Sequence, residues 1–136
     1  MKKQLLSYVS YVACVLALSG CSIFHKDSTS LDPTRPQVAV VADRFIVVNQ
    51  EPLVFLKGQR NVTITWHLPK DSKFRFARNG ITVDRAEGEI DCPPRGEGAF
   101  EFSCINRHTK PGKYSYTIRL VGASGEFKSD PHIFNE

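Results

Sequence analysis

Four acidic residues, Asp84, Glu87, Glu89 and Asp91, supply the carboxylate oxygens that calcium prefers. They lack the loop pattern of an EF-hand, and Glu87-Gly88-Glu89 suits the wet side of a hairpin. Glu87 and Glu89 could also be drawn as the acid and base of a hydrolase, but carboxylates two apart on a strand are ordinary on solvated faces. A second group, Lys70, Lys73, Arg75 and Arg78, interleaves with Phe74 and Phe76. That pattern can stack on single-stranded nucleic acid, or meet anionic envelope groups or an acidic partner surface. Strand alternation offers a plainer assignment, with the phenylalanines in the core and the basic residues in water. Gly122-Ala123-Ser124-Gly125 is one residue short of a nucleophile elbow and sits between two strand patterns. No His-Glu-x-x-His, P-loop or dinucleotide fingerprint is present. The expectation is a protein with no catalytic residues, no cofactor and no metal.

The first residues speak to location. Lys2 and Lys3 precede an apolar run from Leu5 to Leu18, the length of a signal h-region and short of the ~20 residues a bilayer helix needs. Leu18-Ser19-Gly20-Cys21 follows. Together these residues resemble the signal of bacterial lipoproteins, whose lipobox cysteine becomes the acylated N-terminus. The resemblance implies that residues 1–20 are removed and that Cys21 carries the lipid. Ser22, in place of aspartate, then favours the outer membrane, with the domain facing the periplasm. Two or three acyl chains, at ~0.8 kcal/mol per CH₂, make release negligible. Residues 21–36, rich in polar side chains and carrying Pro33 and Pro36, read as a flexible tether, with the domain at 37–136.

Processing also alters charge and cysteine content. The chain has 18 basic and 14 acidic residues; losing Lys2 and Lys3 leaves 16 against 14, a net charge of +2. That is a poor basis for binding nucleic acid. Of four cysteines, Cys14 is discarded and Cys21 acylated, which leaves Cys92 and Cys104 to pair in an oxidising compartment.

The rest is strand after strand. Val38 to Val41, Phe45 to Val48 and Leu53 to Leu56 are β-rich runs. Asn61 to His67 puts Val62, Ile64 and Trp66 on one face. Phe74 and Phe76 alternate with Arg75, and Asn79-Gly80 signals a turn before Ile81 to Val83. Ala99 to Ile105 sets Phe100, Phe102 and Cys104 against Glu101 and Ser103, and Tyr114 to Leu120 alternates likewise. Phe127 and Ile133-Phe134 suggest a last edge strand. Such a series predicts an all-β, antiparallel β-sandwich.

The domain resembles immunoglobulin-like and cupredoxin-like sandwiches, especially over Phe100 to Leu120, and small uncharacterised lipoproteins of Gram-negative bacteria. Immunoglobulin domains place Trp between their cysteines, whereas Trp66 precedes both Cys92 and Cys104. The cupredoxin resemblance implies a copper site of two imidazoles, a thiolate and a weak thioether, for which His67, Cys104 and His108 are the residues at hand. The sole methionine, Met1, leaves with the signal, and pairing with Cys92 would remove the thiolate. The expected function is a non-catalytic interaction or assembly module that binds another envelope protein. A copper- or small-ligand-binding protein and an inhibitor of a cell-wall hydrolase are the alternatives.

Overall fold

The computed structural model describes residues 31–96 and 98–136. The expected signal peptide, Cys21 and the first part of the tether lie outside the described residues.

Ten strands, and no helix among the described residues, build an all-β, sandwich-like fold. One sheet runs β4 (Val62–His67), β7 (Glu101–Asn106), β6 (Ile90–Asp91), all antiparallel. The other runs β3 (Leu53–Phe55), β10 (His132–Asn135), β8 (Gly112–Gly122), β5 (Arg75–Val83). β9 (Gly125–Ser129) pairs with the second half of β8, and β1 (Val38–Val41) with β2 (Phe45–Val48) forms a separate hairpin. Pairing is antiparallel throughout these sheets except between β10 and β3, which run parallel.

Period-two alternation explains the core. Ile64 and Trp66 of β4, Phe102 and Cys104 of β7, and Tyr116, Ile118 and Leu120 of β8 are buried between the two sheets. The Trp66 and Tyr116 rings lie 5.3 Å apart, and the indole N–H donates to the Tyr116 hydroxyl at 3.3 Å. Burial pushes the Tyr116 phenol far above its ordinary range, so this inter-sheet contact stays neutral. Cys92 and Cys104 form the expected disulfide, which fastens the segment after β6 to β7.

Three features differ from the sequence-based expectation. Asn79-Gly80 does not end a strand; it lies within β5, where the register jumps from Phe76 opposite Leu120 to Ile81 opposite Ile118. Residues 77–80 therefore bulge out. Gly80 turns inward there, and a Cβ on it would lie 2.9 Å from both Phe102 Cδ2 and Phe76 Cβ. β10 is not an edge strand but sits between β3 and β8. Residues 32–36, expected to be tether, run along β4: Thr65 and His67 donate their N–H groups to the Thr34 and Pro36 carbonyls at 2.8 and 3.0 Å. The Asp32 carboxylate accepts from the Thr34 N–H at 2.9 Å and hydroxyl at 2.7 Å, closing a turn that starts this docked segment.

Candidate functional site

The proposed copper ligands are not brought together. Cys104 is opposite Ile64 and shares its inward face, whereas His67 projects with Thr63 and Thr65 from the outer face of the same sheet. The Cys104 sulfur is also committed to the disulfide. His108 is buried elsewhere, with Nδ1 2.8 Å from the Gln59 carbonyl oxygen and Nε2 2.8 Å from that of Glu136. With His67 and Cys104 on opposite faces and His108 bonded elsewhere, these residues do not fit a cupredoxin centre.

The acidic group is divided in the same way. Glu89 is buried, and its carboxylate accepts from the Thr109 N–H at 2.8 Å and from the Thr109 hydroxyl. The Arg107 N–H donates to the Glu89 carbonyl at 2.7 Å. The Thr109 hydroxyl first, then the Thr109 and Lys110 N–H groups, hold the Glu89 carboxyl below its ordinary value against the opposing effect of burial. Glu87 pairs with Lys110 at 2.9 Å on the surface above, and that lysine lowers its carboxyl in turn. Asp84 and Asp91 take no part in this latch. Among the described residues no cluster of three or more His, Cys, Asp or Glu side chains could hold a metal ion.

The basic stretch separates as alternation predicts. Phe74 and Phe76 are buried. The Arg75 guanidinium lies 3.6 Å from the centroid of the Phe100 ring and donates to the Phe74 and Ser72 carbonyls. Lys73 pairs with Asp43 at 2.7 Å. Lys70 and Arg78 are exposed.

A buried polar pair escaped the sequence reading. Asn106 and Asn135, both fully buried, exchange side-chain hydrogen bonds of 2.8 and 3.1 Å between β7 and β10. Their signal was available: each occupies the inward register of an otherwise apolar alternation, after Phe102 and Cys104 in one strand and Ile133 in the other. An inward asparagine needs a partner, and the facing sheet supplies it.

Several surfaces of the described residues lie outside the core, among them exposed Val54 and Phe134, paired on β3 and β10, and two others. One is the outer face of the β1–β2 hairpin, where Ala39 stands opposite Val47 and Val41 opposite Phe45. Val41, Phe45 and Val47 are 52%, 58% and 43% exposed. The turn between them places Ala42 and Asp43 at φ of 51° and 52°, with the Arg44 N–H donating to the Val41 carbonyl at 3.2 Å. Arg44 lies over the Phe45 ring, 5.4 Å from its centroid, and Lys73–Asp43 flanks the same tip. The other surface is a concavity of about 540 Å³ beside the β5 bulge, lined by Arg78, Asn79, Thr82, Arg119 and Glu126 among others.

No known family model matches the chain, and no curated protein matches it.

Proposed function

We propose that this protein is a non-catalytic interaction module, held at the periplasmic side of the outer membrane by a lipid on Cys21, and that it binds another envelope protein. The observation that carries this reading is the apolar outer face of the β1–β2 hairpin. Single exposed apolar residues are ordinary, but Val41, Phe45 and Val47 share one face with Ala39. Charged groups at Asp43, Arg44 and Lys73 rim that face, the usual anatomy of a protein contact. Nine residues lie between Cys21 and Leu31, so the ten steps from one to the other span at most about 35 Å. A lipidated chain would therefore meet its partner within the envelope.

The copper alternative is not retained, because Cys104 is held in the disulfide and His67, Cys104 and His108 are not brought together. The inhibitor alternative gains no specific support.

The test is recovery of a tagged, lipidated chain from detergent-solubilised envelopes beside Cys21→Ser and Phe45→Ser versions. One protein recovered near stoichiometrically with the parent chain, and lost with either substitution, is the expected result. Recovery of the bait alone, or of the same partner undiminished with Phe45→Ser, would overturn the reading.

A further inference from the structure

Residues 77–80 stand opposite a single residue of β8, Arg119. Bulges of this kind re-aim side chains, and they concentrate beside binding sites. Here Gly80 packs inward with no room for a Cβ, while Arg78 and Asn79 are carried outward and are exposed. The Arg95 N–H donates to the Arg78 carbonyl at 3.0 Å, which anchors the bulge from its other side.

The groove beneath holds two guanidinium groups in different states. Arg119 is fixed: its Nη1 donates to Thr82 Oγ1 at 2.8 Å, and its Nε lies 3.9 Å from a Glu126 carboxylate oxygen. Arg78 makes no side-chain hydrogen bond or ion pair among the described residues. One arginine is pre-positioned, and the other is exposed at the rim of the groove.

We infer that this groove binds a carboxylate carried by an extended acidic peptide. Guanidinium forks match planar oxyanions bidentately. The lining carries Arg78 and Arg119 against Glu126, which Lys128 also pairs at 3.5 Å, so positive charge is in excess and an anion is favoured. Asn79 can both donate to and accept from a peptide backbone, and Val121 provides apolar contact for it. This site is separate from the hairpin face and stands or falls independently of it.

The experiment is an NMR titration of the ¹⁵N-labelled full chain in detergent micelles with acetyl-Gly-Glu-Gly-amide. Acetyl-Gly-Gln-Gly-amide and inorganic phosphate are titrated separately. Saturable shifts centred on residues 77–82 and 117–121 are expected with the glutamate peptide only. Arg78→Ala should weaken that binding about tenfold, the scale of one charge-assisted contact. Arg78→Lys, which keeps charge but loses the fork, should fall between. Phe45→Ser should bind the peptide like the parent chain. Equal shifts with the glutamine peptide, tighter binding of phosphate, or an unchanged affinity in Arg78→Ala would each overturn the assignment.

Discussion

Two pairs of antiparallel strands in this molecule bury one face and present the other, yet their outer faces are built oppositely. On β4–β7 the outward residues are mostly polar and pair across the strands, with exposed Ile105 opposite Thr63 as the apolar exception. The Thr65 and Ser103 hydroxyls lie 3.0 Å apart, and His67 Nδ1 lies 2.9 Å from Glu101. On β1–β2 the outward residues are Ala39, Val41, Phe45 and Val47, with no polar group among them. The inner faces also differ in weight: β4–β7 contributes the large rings of Trp66 and Phe102 to the core, whereas β1–β2 contributes the smaller Val38 and Ile46. A pair with large rings within and a mostly polar face without is built for stability. One with smaller side chains within and an apolar face without invites a second surface.

That contrast can be broken first at the inner faces. Trp66→Ala should cost about 3–5 kcal/mol in chemical denaturation, and Ile46→Ala about 2 kcal/mol. Equal losses would show that the hairpin belongs to the core as fully as β4–β7 does. Removing the disulfide with Cys92→Ala and Cys104→Ala should cost about 3 kcal/mol, since the cysteines are 12 residues apart and their link constrains the unfolded chain.

Smaller effects sharpen it. Asn106→Ala should cost about 1–3 kcal/mol by leaving Asn135 buried without its partner. The double substitution should cost less than the sum of the singles, as a double-mutant cycle would reveal. At Glu89 the folded-state pKa lies below the ordinary value of 4.5, so the unfolded chain binds the proton more tightly. Its contribution is complete above that value and is lost as pH falls below it. Thermal unfolding of Glu89→Gln should accordingly show a shallower loss of stability on acidification than the parent chain.

The smallest stability change is expected at the outer hairpin. Phe45→Ser should move stability by no more than about 0.5 kcal/mol, less than or similar to Thr65→Ala on the polar face. Only the hairpin substitution should affect partner recovery. A large destabilisation by Phe45→Ser would mean that this face serves the fold, not a partner.

Most strands were legible because a half-buried strand advertises itself by alternation: Ile64-x-Trp66, Phe102-x-Cys104 and the alternate residues Tyr114, Tyr116, Ile118 and Leu120 point inward as read. The disulfide was legible because two cysteines remained after the expected processing. Asn79-Gly80 misled because it carries the chemistry of a hairpin turn, while the packing of Gly80 against Phe76 and Phe102 makes it a bulge. Glu89 misled for a related reason. A carboxylate beside Gly88 looks solvated until Thr109, twenty residues away, arrives to receive it.

From the sequence alone followed the all-β class, the inward and outward sets of each main strand, the cysteine pairing and the expectation of a lipid-bearing Cys21. These depend on neighbours along the chain, where side-chain direction is set by backbone geometry. Only the tertiary structure decided that β10 lies between β3 and β8, that residues 32–36 dock on β4, and that His67 and Cys104 stand on opposite faces. It also decided that Arg78 and Arg119 meet over one groove. Such meetings depend on which strands pair and in what register, and a one-residue shift in register carries a side chain to the other side of its sheet.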